Sequence, residues 1–197
     1  DTPFRHFVVE NVLPEAVYEY LLRTLAPEDE YLPIAEARGT KGYPKRFVHP
    51  QPQLKNQLQK DIAEAFMFAE DAIAHKLGIE IKAEERDRGE MLIIKDLPGY
   101  HIGPHTDVPS RIFSAILYLA EDDKHPELGT SLYVPKGRDF TCKGGPHYPV
   151  DDFYKVLTAP YKPNSMFVFL KTENSFHGVE PTTETRDVLL YDVRRKK

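Results

Sequence analysis

The chain has 197 residues, 41% of them hydrophobic, and a formal net charge of −5. That length suits one domain with a real core, and that hydrophobic content excludes a disordered chain. The acidic balance argues against the usual basic nucleic-acid surface. No apolar run approaches the roughly 18 residues of a membrane span, and no secretory signal is visible. Cys142 is the only cysteine, which rules out an intrachain disulfide and points to a cytoplasmic life. The expectation is a single domain over 1–197 with no nucleic-acid or membrane partner and an open oligomeric state.

In chain order, Pro3–Glu10 reads as a strand with Phe4, His6 and Val8 on one face. A helix follows from Pro14, with Val17, Leu21 and Leu25 four apart and Pro27 as its stop. Residues 28–52 hold prolines at 33, 44, 50 and 52 and read as irregular; their aromatics Tyr31, Tyr43 and Phe47 either rim a pocket or cover the core edge. The clearest helix is Leu54–Leu77: Leu54, Leu58, Ile62, Phe66, Ala69, Ile73 and Leu77 form one stripe, and Gly78 ends it. It is a support helix for a sheet. Glu84–Glu90 is a charged, solvated stretch.

Strands then dominate: Met91–Lys95, Arg111–Leu119, Thr130–Val134, Met166–Leu170, Phe176–Val179 and Asp187–Val193, with a turn at Leu97-Pro98-Gly99. Lys136–Lys162 reads as one long loop. Residues 1–90 are thus a helical support region and 91–197 a metal-bearing core. Helices first and about eight short strands later predict an α+β fold. His105 and His177, far apart in the chain, meet at one mouth in a double-stranded β-helix, or jelly roll.

The chemistry centres on Pro104-His105-Thr106-Asp107. Residues i and i+2 of a strand share a face, so His105 and Asp107 point together. His177, in Ser175-Phe176-His177-Gly178-Val179, is the best third ligand. Two His and one carboxylate leave half the coordination sphere open, as in non-haem Fe(II) oxygenases. One carboxylate and no thiolate lean toward iron or manganese over structural zinc. A lone His-x-Asp is a weak motif; its surroundings strengthen it. Arg111 and the run Ile112–Leu119 follow Asp107, and Arg186 follows His177.

Taken in order, these are a Pro-Gly turn, His-Thr-Asp, Arg111, a strand ending Tyr118-Leu119, a Gly129-Thr130 turn, His177-Gly178-Val179 and Arg186. Over Met91–Val193, about half the chain, the order resembles the 2-oxoglutarate/Fe(II)-dependent dioxygenase superfamily in its prolyl-hydroxylase-like branch. The resemblance implies the jelly-roll fold, with Fe(II) on His105, Asp107 and His177. It implies 2-oxoglutarate and O2 as cosubstrates, ascorbate as reductant, and succinate and CO2 as co-products of hydroxylating an unactivated C–H bond. Arg186 would take the far carboxylate of 2-oxoglutarate at two points, and the Tyr118 hydroxyl would join it.

The chain departs from the family at Asp96-Leu97, where many members carry Tyr before the Pro-Gly turn. The missing polar contact falls to Tyr100 or His101. Asp107 argues against a halogenase. Asp192 stands where the family's nucleic-acid demethylases carry a second Arg, which argues against alkylated bases. The reading is an enzyme hydroxylating a small polar molecule. Alternatives are a protein prolyl or asparaginyl hydroxylase, a non-catalytic jelly-roll binding module, and a zinc hydrolase. Arg111, near the mouth, and His147, in the long loop with Tyr148, Phe153 and Tyr154, are candidate substrate contacts. Gly144-Gly145 suits a hinged cover over the site.

Overall fold

A computed structural model describes residues 2–38, 43–49, 57–137 and 140–196. Its strands are β1 (His6–Glu10), β2 (Leu32–Pro33), β3 (Arg46–Val48), β4 (Arg86–Asp96), β5 (Ile102–His105), β6 (Arg111–Tyr118), β7 (Thr130–Pro135), β8 (Phe153–Ala159), β9 (Ser165–Leu170), β10 (His177–Val179) and β11 (Arg186–Arg195). The helices are α1 (Glu15–Arg23), α2 (Ile34–Arg38) and α3 (Gln57–Lys76). A seven-stranded sheet runs β1-β9-β6-β11-β4-β3-β2, and a four-stranded sheet runs β5-β10-β7-β8. Every pairing is antiparallel. From β4 onward successive strands switch between the two sheets, except that β7 and β8 pair within the small one, which gives the jelly-roll order. No helix among the described residues is long and apolar enough to cross a membrane.

The large sheet is buried on both faces, so its strands read as nearly continuous apolar runs, and parity decides what each residue meets. Met91 and Ile93 of β4, Phe113, Ala115 and Leu117 of β6, and Leu189, Tyr191 and Val193 of β11 face a core shared with Tyr18 and Leu21 of α1 and Ile62, Phe66 and Ile73 of α3. Their neighbours Leu92, Ile94, Tyr118 and Val188 face the second core, between the sheets, with Leu132, Phe167 and Phe169. Polar residues of the same parity as this inner set, Asp96, Ser114, Arg186 and Asp192, are all buried.

Helix α3 ends at Gly78, whose φ of +69° gives the left-handed stop. The Arg5 guanidinium donates to the Gly78 carbonyl at 2.8 Å and the Leu77 carbonyl at 3.2 Å, tying β1 to that end. Polar contacts fix α3 to the sheet as well. Glu70 is buried, accepts from the Tyr191 hydroxyl and pairs with Arg86 Nε at 2.9 Å. The Phe66 ring stacks on Tyr191 with centroids 5.0 Å apart.

The structure corrects several sequence expectations. Eleven strands, not about eight, form among the described residues, because β2 and β3 extend the large sheet and β8 the small one. Residues 28–52 are not simply irregular: the proline-flanked Arg46–Val48 pairs with β4. The charged stretch at 84–90 is largely strand, since β4 begins at Arg86 and pairs as far as Arg195. The second half of Lys136–Lys162 is β8, an edge strand paired with β7. Its four successive exposed residues, Tyr154–Leu157, hid the alternation. The expected start of α3 at Leu54 lies outside the described residues.

Removing Glu70 leaves Arg86 and the Tyr191 hydroxyl without their buried partner. Glu70→Ala is therefore expected to lower stability by about 3–5 kcal/mol, the range for breaking a buried ion pair. Urea unfolding checks this, and a loss under about 1 kcal/mol, the level of an exposed pair, contradicts it.

Candidate active site

Strands β5 and β10 pair so that His105 and His177 are cross-strand neighbours, with ring centroids 4.4 Å apart. That approach needs Gly178, where a Cβ would lie 2.4 Å from the Ile102 carbonyl oxygen. Each imidazole is oriented by a backbone carbonyl. His105 Nδ1 lies 3.0 Å from the Gly103 oxygen, and His177 Nδ1 lies 2.9 Å from the Ser175 oxygen. A carbonyl only accepts, so Nδ1 carries the proton and Nε2 keeps its lone pair for a metal.

Asp107 completes the cluster by a route that alternation does not describe. Strand β5 ends at His105, and Asp107 lies in the coil beyond it. Its carboxylate is held from β6 instead: Arg111 Nη1 donates to Oδ1 at 2.8 Å and the Ser114 hydroxyl to Oδ2 at 3.1 Å. One ligand atom each from His105, Asp107 and His177 lies within 4.8 Å of the others. Each carboxylate oxygen retains a second lone pair.

The electrostatics suit a divalent cation. Burial, then the neighbouring His177, push the His105 imidazole down to about 3, and burial lowers His177 as well. Both are neutral at pH 7. Burial alone would raise Asp107; the Arg111 charge and hydrogen bond, with the two imidazoles, outweigh it and hold the carboxyl well below its usual range. The donor set is thus two neutral imidazoles and one carboxylate, with no deprotonation needed on binding, which fits Fe(II) or Mn(II).

A cavity of about 80 Å³ adjoins this cluster. It is lined by the three candidate ligands and by Ser114, Thr130, Arg46 and Arg186. Arg186 is 1% exposed. Its Nε donates to the Leu128 carbonyl at 2.6 Å and its Nη1 to Asp96 Oδ2 at 2.8 Å. Tyr118 stands beside it, with the guanidinium carbon 5.7 Å from the ring centre. The Tyr118 hydroxyl, however, is engaged by the Thr130 amide and the Ala159 carbonyl, and Tyr118 does not line the cavity.

Outside lies a wider cavity of about 250 Å³, whose lining includes Tyr43, Arg46, Val108, Arg111 and His147. The His147 ring sits 4.7 Å from that of His105, and its Nε2 lies 3.2 Å from the Tyr43 hydroxyl. Two loops distant in sequence therefore meet over the mouth. Of Tyr31, Tyr43 and Phe47, only Tyr43 lines this cavity.

Of the expected substrate contacts, Arg111 is otherwise engaged and two more lie off both cavities. Arg111 lines both cavities, but its Nη1 and Nη2 are taken by Asp107 and by Asp192 at 2.7 Å, so it positions the candidate ligand Asp107. His101 is exposed and lines neither cavity. Tyr100 is buried beneath Arg46, whose guanidinium carbon is 4.3 Å from its ring centre, and it also lines neither. The loop before β8 is not a free hinge. The Thr106 hydroxyl donates to the Cys142 carbonyl at 2.8 Å, and the Tyr148 amide to the Pro104 carbonyl at 3.0 Å. Gly144, at φ +131°, lies so close that a Cβ would be 2.2 Å from the Asp107 carbonyl oxygen. Sequence reasoning missed Arg46, Thr130 and Ser114. Parity along β6 was the available signal for Ser114; the short proline-flanked β3 hid Arg46.

No protein-family model and no curated protein matches the sequence. Solved structures do match. A prolyl-4-hydroxylase from Pseudomonas putida is 18% identical with a TM-score of 0.66, over 99% of this chain and 95% of that one. The fold is that of the 2-oxoglutarate-dependent oxygenases. A prolyl hydroxylase from Trichoplax adhaerens, in complex with a hypoxia inducible factor peptide, is 10% identical with a TM-score of 0.64, over 98% of this chain and 84% of that one. HygX from Streptomyces hygroscopicus, with nickel and 2-oxoglutarate bound, is 13% identical with a TM-score of 0.59, over 97% and 83%. In this fold β5, the coil after it and β10 present the His-Asp-His cluster, and Ile94 of β4 with Arg186, Val188 and Leu190 of β11 line the cavity beside it.

Replacing His105, Asp107 or His177 with Ala is expected to abolish tight Fe(II) or Mn(II) binding while leaving the fold intact, because the three residues belong to neither core and only Phe169 of the second core packs on one of them, His177. Metal content after dialysis and circular dichroism check both halves; a metal-replete Ala variant contradicts the assignment.

Arg111→Met tests the positioning role. Losing the charge that depresses Asp107 raises that carboxyl, so protons compete with the metal at higher pH. Metal affinity at neutral pH should fall about 10–100-fold, as for other residues that orient ligands. The pH at which acid releases the metal should also move up. A release profile superimposable on wild type contradicts this.

Proposed function

We propose that the protein is an Fe(II)- and 2-oxoglutarate-dependent hydroxylase acting on a C–H bond of a small polar molecule. The observation that carries this reading is one mouth holding two oriented imidazoles and an ionised carboxylate, next to a cavity that ends at the buried Arg186. His105, Asp107 and His177 would hold the metal. Arg186 would bind the far carboxylate of 2-oxoglutarate from Nη1 and Nη2, beside Thr130, whose hydroxyl lies 3.5 Å from Nη2. With O2, the bound metal and cosubstrate supply the oxidation that yields succinate, CO2 and a hydroxylated product.

The protein's own part is orientation and exclusion of water. Phe169, whose ring lies 4.4 Å from that of His177, and Ile116 give the inner cavity an apolar wall. His147 and Tyr43 offer polar groups to the primary substrate from the outer cavity. Arg111, already matched by two carboxylates, is withdrawn from that role. Ascorbate would serve as reductant. A peptidyl-proline substrate is the second reading, supported by the two prolyl hydroxylases of similar fold.

The test is succinate formation from 2-oxoglutarate by the Fe(II)-loaded protein in air, with a panel of small polar molecules and a proline peptide. Substrate-dependent succinate is expected from a small molecule, and His147→Ala should raise KM for it with less effect on uncoupled 2-oxoglutarate decay. Succinate stimulated only by the peptide supports the second reading. A protein that binds iron yet turns over no 2-oxoglutarate contradicts the function.

A further inference from the structure

Strands β3, β4 and β11 lie side by side, and in their register Asp96 is the cross-strand partner of both Arg46 and Arg186. The three side chains therefore form one row on the cavity face. Asp96 is fully buried, with an arginine on each side. Arg46 Nε donates to Oδ1 at 2.6 Å and Arg46 Nη2 to Oδ2 at 2.8 Å, while Arg186 Nη1 donates to Oδ2 at 2.8 Å. The Tyr100 ring stacks beneath Arg46 and fixes its plane.

The charges do not balance within the row: two guanidiniums flank one carboxylate. The other cation of the cavity, Arg111, contacts two carboxylates: Asp107, the candidate metal ligand, and Asp192, which also pairs with Arg194. Within the row itself one positive charge is left over, where both Arg46 and Arg186 line the inner cavity. A buried excess charge favours one anion to neutralise it.

We propose that Arg46 is a second arginine of the cosubstrate cavity, and that Asp96 joins Arg46 and Arg186 into one clamp for the far carboxylate of a 2-oxo diacid. This rests on the oxygenase reading and adds a specificity determinant to it. Asp96 takes two of Arg46's three nitrogens and leaves Nη1 outside that fork. Asp96 has a second effect: it removes one unit of positive charge, so the clamp takes one carboxylate rather than two. A 2-oxo acid without a far carboxylate gains nothing from the row.

Calorimetric titration of the Mn(II)-loaded protein with 2-oxoglutarate and with pyruvate tests this, since manganese avoids turnover. Wild type should bind 2-oxoglutarate far better than pyruvate. Arg46→Met leaves Asp96 paired with Arg186 alone and the row neutral. Its 2-oxoglutarate affinity should fall about 10–100-fold, the scale of hydrogen bonds to charged groups, with pyruvate unchanged. Arg46→Lys, which keeps the charge, should lose less. The double variant Arg46→Met/Asp96→Asn restores the single excess charge and should recover part of the affinity.

Unchanged 2-oxoglutarate affinity in a folded Arg46→Met protein overturns the proposal. So does equal weakening of both acids without recovery in the double variant, the pattern of a merely structural arginine. If Arg46→Met does not fold, the comparison of Arg46→Lys with wild type decides by the same two criteria. A wild type that binds neither acid contradicts the oxygenase reading itself, and the clamp with it.

Discussion

The structure depends on one constraint: the large sheet is covered on both faces, so each strand must serve two interiors at once. On one face, odd-numbered residues of β4, β6 and β11 meet α1 and α3. On the other, the even-numbered residues close the space between the sheets. A one-residue slip would exchange the two sets and bury Asp96, Arg186 and Asp192 against the apolar face of α3. Register is therefore enforced twice, by packing and by the cost of unpaired charge.

The same constraint explains why the ionic residues gather at the site. Charges between two sheets are costly unless paired, and here each ionic residue finds a partner on another element, with one positive charge of the Arg46–Asp96–Arg186 row left over. Arg46, Asp96 and Arg186 form one row; Arg111 links Asp107 to Asp192, which also binds Arg194 Nε at 2.7 Å. Apolar residues of similar volume often stabilise as well as such pairs, so their stability value does not account for them. Their value is positional. One row faces the end of the cavity, and the other holds a carboxylate against two imidazoles. The small sheet, with the loop pinned beside Asp107 at Gly144, supplies the opposite wall.

Much of this was legible in the sequence. The stripe from Leu58 to Leu77 and the apolar runs around Leu117 and Leu189 gave a supported sheet, and His-Thr-Asp with His177 named the cluster. What was not legible has physical causes. Asp107 reaches the cluster through Arg111 and Ser114, a contact set by folding rather than by strand alternation. Residues β3 and β8 are an outer three-residue strand and an exposed edge strand, and neither needs a two-residue apolar period. The role of Asp96 required knowing that two arginines on different strands would flank it. Tyr118 was expected at the pocket from the family resemblance and Tyr100 as a substitute for the absent tyrosine before the Pro-Gly turn, yet Tyr100 is a platform under Arg46 and the Tyr118 hydroxyl is engaged by backbone groups.

The most direct test of the account is a crystal structure of the protein grown with Mn(II) and 2-oxoglutarate, read by manganese anomalous scattering. The account predicts one strong peak within coordination distance of Nε2 of His105, Nε2 of His177 and the Asp107 carboxylate, with 2-oxoglutarate density running from the ion to Arg186. A peak at other residues, or 2-oxoglutarate lying with neither carboxylate near Arg186, would contradict it.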